Sequence, residues 1–124
     1  MVQPHSRRAF LKNGLKAGVA LLLPMPTPAA SQVMTVRGPI PASALGPTLV
    51  HEHVLVDFIG ADKITADRYQ RQEAFRVILP HLQDLYKKGC RTLVECTPQY
   101  LGRDPLLLKQ LSESSKLHIL TNTG

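Results

Sequence analysis

Apolar residues along this chain gather into short continuous runs separated by stretches of helical periodicity. The run Thr48-Leu49-Val50-His51-Glu52-His53-Val54-Leu55-Val56 is short, aliphatic and β-branched, and Gly46-Pro47 precedes it, which predicts a strand. From about Asp67 to Lys88 the apolar positions Phe75, Ile78, Leu79, Leu82, Leu85 and Tyr86 recur every three or four residues and end in Lys87-Lys88-Gly89. That spacing, with basic residues and a glycine at its end, predicts an amphipathic helix, and Pro80 either kinks it or starts it afresh. Arg91 to Thr97 reads as a second buried strand stopped by Pro98. Asp104-Pro105 reads as a helix cap and a proline at the first helical position, leading a helix through Leu106, Leu107, Leu108 and Leu111 to about Ser115. Leu117 to Thr121 completes a third strand. Strand, helix, strand, helix, strand with short connections places the chain in the α/β class, as a parallel β/α arrangement with right-handed crossovers.

A parallel sheet must be covered on both faces or closed into a barrel. Three strands and two helices do neither, and residues 32 to 124 fall well short of the ~250 that a closed eight-stranded β/α barrel requires. The pattern is therefore expected to be the N-terminal part of a larger fold. Isolated, such a piece would expose a strand edge and apolar helix faces, so poor solubility is expected.

The beginning of the chain has a different character. Ser6-Arg7-Arg8-Ala9-Phe10-Leu11-Lys12 is followed by a mildly apolar run from Gly14 to Leu23, then by Pro24, Pro26, Pro28 and the small residues Ala29-Ala30-Ser31. Charged, apolar and small-residue regions stand in secretory order. The paired arginines resemble the twin-arginine export signal of bacteria. An apolar run of about ten residues carrying Lys16 is shorter than the roughly 20 needed to span a bilayer, which disfavours an anchor. Residues 1 to 31 are thus expected to be a signal peptide, cleaved after Ala30 or Ser31 and recognised by the twin-arginine export machinery, with a periplasmic or exported product.

Removing that segment changes the charge argument. The formal net charge is +6, but Arg7, Arg8, Lys12 and Lys16 have no acid among them, and residues 32 to 124 carry 11 basic and 9 acidic side chains. Without a basic stripe and with its aromatics scattered, the folded part does not read as a nucleic-acid binder. Cys90 and Cys96 flank a strand start, where extended chain would hold them about 20 Å apart, so no internal disulfide is expected.

His51 and His53 are the candidate chemistry. On a strand, residues i and i+2 project to one face, so two imidazoles can converge on one cation while Glu52 points away. On spacing alone His-x-His fits an unliganded pair equally well, and a catalytic zinc needs at least three protein ligands. Position adds weight, because active sites of β/α barrels are built at the C-terminal ends of their strands.

Gly46-Pro47-Thr48-Leu49-Val50-His51-Glu52-His53-Val54 resembles the G-x-T-L-x-H-E-H-[LIV] signature of the phosphotriesterase family of the amidohydrolase superfamily. The similarity extends to Val36-x-Gly38-Pro39-Ile40, to the Gly102-Arg103-Asp104 turn and to Thr121-Asn122-Thr123-Gly124. The resemblance implies a (β/α)8 TIM barrel, incomplete here, of which residues 32 to 124 supply three strands and two helices. It also implies two divalent metal ions, usually zinc, with His51 and His53 ligating the more buried one, and a bridging hydroxide that attacks phosphorus or a carbonyl carbon. The implied substrates are small-molecule organophosphates, lactones or carboxylic esters, with room for a homodimer in the complete fold. The family's bridging lysine, two further histidines and its aspartate would lie beyond Gly124, and neither Lys109 nor Lys116 stands in for that lysine. The alternative is a catalytically inactive fragment or metal-binding remnant; a binding module using the sheet edge has only the export signal in its favour.

Among the remaining polar residues, Glu95 reads as a buried carboxyl paired to a neighbouring strand, with a supporting role behind a ligand histidine as the alternative. Cys96 reads as core, Asp104 as a cap, Asp57 as a solvated loop acid, and His81 and His118 as surface or packing residues. Arg68, Arg71, Arg76, Lys87 and Lys88 read as a solvated helix face.

Overall fold

The computed structural model of the chain describes residues 30 to 123. The expected signal peptide, residues 1 to 31, lies outside the described residues apart from Ala30 and Ser31. The described part opens with an antiparallel hairpin of β1 (Gln32–Thr35) and β2 (Gly38–Pro41), in which Thr35 stands opposite Gly38. This hairpin was not legible as strands, since the sequence there reads only as a Pro- and Gly-rich lead. Pro39 and Pro41 are exposed, and a two-stranded ribbon with free edges tolerates prolines that a central strand rejects. Val36 in the hairpin turn donates its amide to the Ile119 carbonyl at 2.9 Å, which docks the hairpin on the main sheet.

That sheet holds β3 (Thr48–Glu52), β4 (Thr92–Glu95) and β5 (His118–Thr121), all parallel in the order β3-β4-β5. Helices α1 (Arg71–Lys87) and α2 (Pro105–Ser115) form the crossovers and pack on each other. The α/β class and the element order expected from the sequence hold. Leu93 and Ile119 of the sheet meet Leu82 of α1 and Leu107, Leu108 and Leu111 of α2 in one core cluster. By strand alternation, Val94 and Leu120 then face away from the helices.

Boundaries differ for identifiable reasons. α1 begins at Arg71, not near Asp67, because Gln70 is extended and the preceding residues form turns. Pro80 does not restart it: the helix is continuous, and the proline sits on the exposed side, where water can satisfy the carbonyl it leaves unpartnered. α2 starts as read, with the Asp104 carboxylate accepting from Leu106 and Leu107 amides at 3.0 Å each and Pro105 at the first turn. β3 stops at Glu52, four residues before the apolar run ends.

Candidate metal centre

The end of β3 is shaped by a register change. Leu49 stands opposite Leu93 and Glu52 opposite Glu95, so β3 fits one more residue than β4 into the same interval, as a bulge does. Glu52 is thereby set level with Glu95, and His51 and His53, its immediate neighbours, project to the other side. Their rings lie with centroids 5.4 Å apart and planes at 75°, both exposed on the open side of the sheet. Zn–N bonds of 2.0–2.1 Å at a tetrahedral angle would place the centroids of two ligating imidazoles about 5 Å apart. The pair therefore fits two corners of a zinc site. Among the described residues no group of three or more His, Cys, Asp or Glu side chains converges in this way.

The surroundings of the pair are less obvious from sequence. Glu95 is only 1% exposed. Its Oε1 accepts from the amides of Val54 at 3.4 Å and Thr97 at 3.2 Å, and its Oε2 from the Thr121 hydroxyl at 3.4 Å. One carboxyl thus ties together the exits of all three strands, and by taking the Val54 amide it replaces the ladder bond that would have extended β3. The pairing expected for Glu95 is present, directed mainly to backbone. The residue that touches a candidate ligand is Thr97, whose Oγ1 lies 3.0 Å from His53 Nδ1. Asn122 donates from Nδ2 to the Thr97 carbonyl at 3.2 Å, and Arg103 donates to both the side-chain and main-chain oxygens of Asn122.

The loops beyond β3 and β4 are clamped together. The Asp57 amide donates to the Leu101 carbonyl at 2.9 Å, and Arg68 pairs with the Asp57 carboxylate. That guanidinium hydrogen bond holds Asp57 below the usual carboxylate range. Asp104 accepts from the Tyr69 hydroxyl at 2.5 Å and from Arg71 Nε at 2.7 Å, besides capping α2. Burial acts to raise Asp104, but its hydrogen bonds to Tyr69, Arg71 and the Leu107 amide prevail and hold it low. Tyr69 is pushed up, first by burial and then by the carboxylate it faces. Arg68 and Arg71, read as part of a solvated helix face, are instead ion-paired residues at and before the start of α1. A cleft of about 510 Å3 opens between these loops, walled by Leu55, Ile64, Tyr69 and Leu106 among others, and it excludes His51 and His53.

His81, Lys109 and Lys116 are exposed, and Cys90 and Cys96 are free thiols. Cys90 is buried in the core, whereas Cys96, read as core, is only partly buried and lies outside the core cluster, because strand alternation turns it to the open side of the sheet, away from Glu95 and the helices. His118 is half-buried and meets Arg37.

Parallel strands joined by helices, with a histidine pair at the C-terminal end of the first, define a segment of β/α-barrel type. Residues 31–124 match the model of the phosphotriesterase family, and the chain belongs to that family. N-acetyltaurine hydrolase of Salmo salar is 28% identical over 122 residues, covering 77% of this chain and 35% of the relative. The phosphotriesterase homology protein of Escherichia coli is 32% identical over 79 residues, covering 64% of this chain and 26% of the relative. An organophosphorus hydrolase from Deinococcus radiodurans superposes with a TM-score of 0.66 at 31% identity, covering 81% of this chain and 30% of that one. The chain thus spans about a third or less of these relatives, and its fold is a partial TIM barrel of a metal-dependent hydrolase family.

Proposed function

We propose that this chain contributes the first strands of a zinc-dependent hydrolase of ester bonds, with His51 and His53 as two ligands of one of its two divalent ions. The observation that carries the reading is the convergence of the two rings at 5.4 Å on one side of the β3 end. A bound zinc would lower the pKa of water from 15.7 to about 7 and so supply hydroxide at neutral pH. The chain's own part is to hold two imidazoles in place on a rigid strand exit. A phosphotriester, lactone or carboxylic ester is the proposed substrate class, supported by the organophosphorus hydrolase among the structural neighbours. Export through the twin-arginine machinery to the periplasm is proposed from Ser6 to Lys12 alone, and a homodimer is proposed for the complete barrel.

A second reading is favoured by the donor count. Catalytic zinc takes at least three protein ligands, and only two converge among the described residues. The 124-residue polypeptide alone is then a metal-binding but inactive unit. Zinc content after dialysis tests the ligand assignment: the chain is expected to retain zinc weakly, and His51→Ala or His53→Ala to lose it. Unaltered zinc content in both variants would refute it. Saturable hydrolysis of an organophosphate or lactone by the chain alone would refute the inactive reading.

A further inference from the structure

We infer that Thr97 is a positioning residue for the metal centre: its hydroxyl engages Nδ1 of His53 and so commits Nε2 of that ring to the ion. The inference rests on the ligand assignment proposed above and deepens it. Which nitrogen of a histidine coordinates is set by the hydrogen bond the other one makes. His53 lies one residue beyond β3, so the strand ladder does not fix its ring, and the ring is exposed on its open side. The 3.0 Å contact to Thr97 Oγ1 is the polar contact that orients it.

Thr97 is itself held on every side. It is fully buried, its amide donates to Glu95 Oε1 at 3.2 Å, and its carbonyl accepts from Asn122 Nδ2 at 3.2 Å. The same Glu95 oxygen accepts from Val54, the residue following His53. One buried carboxyl therefore fixes the backbone beside both the ring and its anchor, which sets the distance between them. With a metal held by Nε2, Nδ1 would carry the proton and Thr97 Oγ1 would accept it. His51 has no such partner among the hydrogen bonds described, so the two ligands are held unequally: His51 by the strand, His53 by Thr97.

The test compares Thr97→Val, which keeps shape and removes the hydroxyl, with Thr97→Ser, which keeps the hydroxyl. In the full chain, competition with a chromophoric chelator is expected to show zinc affinity weakened about 10- to 100-fold by Thr97→Val and nearly unchanged by Thr97→Ser. Equal affinity in Thr97→Val and the unaltered chain would overturn the positioning role. Imidazole 15N spectra of the metal-free chain give a readout that needs neither metal nor turnover. There the His53 Nδ1 resonance should move in Thr97→Val and stay in Thr97→Ser, with His51 unmoved; identical spectra overturn the inference. In the zinc-loaded unaltered chain, coordination of His53 through Nδ1 would overturn it without any variant. A chain that shows the expected metal-free spectra yet takes up no zinc refutes the ligand assignment instead, and leaves Thr97 as the anchor of the ring.

Discussion

Arg37 and His118, 81 residues apart in sequence, meet at 3.1 Å, with the guanidinium Nη2 donating to the imidazole Nδ1. Together with the Val36 amide on the Ile119 carbonyl, this contact fastens the β1-β2 hairpin to β5. Burial, and then the Arg37 charge, hold His118 below the ordinary imidazole range. The unfolded chain therefore binds the proton more readily than the folded one. Stability is complete above the unfolded pKa of about 6.5 and is lost as pH falls through that value to the lower folded one. Melting of the chain between pH 8 and pH 5, followed by circular dichroism, should show this loss, and His118→Gln should flatten it. A slope that persists in the variant would move its origin elsewhere.

Asp104 does two jobs that a single substitution can separate. It caps α2 through two amides and pairs with Arg71 and Tyr69 across 33 and 35 residues of sequence. Asp104→Ala removes both and should cost about 1–2 kcal/mol in urea denaturation, the upper range for a lost cap. Asp104→Asn keeps a good cap and removes the charge. Because the folded carboxyl titrates below its ordinary value, the advantage of Asp over Asn should be present above about pH 4 and vanish as pH drops through the folded pKa.

These pairs mark the limit of what the sequence discloses. α2 was legible because Asp104-Pro105 and a leucine repeat act within one turn of each other. β4 and β5 were legible because Leu93 and Ile119 stand in short apolar runs. His51 and His53 were legible because i and i+2 share a face whatever the rest of the chain does. Contacts between distant segments were not: nothing local to Thr97 distinguishes it from Thr92, and only the fold brings it to His53. The apolar run Val54-Leu55-Val56 extended the expected strand, and a carboxyl 41 residues away ended it. Arg71 reads as solvated on a helical wheel until the start of α2 is placed beside it.

Glu95 is the most consequential of the residues that sequence left ambiguous. Truncation to alanine would strand two backbone donors in a site closed to water and leave a cavity, each an established source of large losses. Glu95→Ala should therefore destabilise the chain by roughly 2–5 kcal/mol. Glu95→Gln keeps one acceptor oxygen for the two amides and should cost distinctly less. Denaturant titration of both variants checks the order, and equal losses would show that the amides are not what the carboxyl supports.

Gly46, which opens the His-containing motif, is required by space and by backbone conformation together. Its φ is +60°, in the left-handed region, and a Cβ there would lie 2.9 Å from both Cβ and Cγ of Arg91. Those atoms cannot give way easily. The Arg91 guanidinium donates to the Tyr86 and Cys90 carbonyls at 2.9 and 2.8 Å and lies 4.2 Å from the centre of the Tyr86 ring, while its amide bonds Pro47. Left-handed backbone alone costs a non-glycine residue about 1–2 kcal/mol, and overpacking adds about 1–3 kcal/mol. Gly46→Ala should thus lose roughly 2–5 kcal/mol by denaturant titration. Paired with Arg91→Ala, which removes one of the two clashing carbons and the anchored chain beyond it, the loss should be less than the sum of the single effects. Strict additivity would show that the Arg91 side chain beyond its Cβ plays no part in fixing glycine at this position.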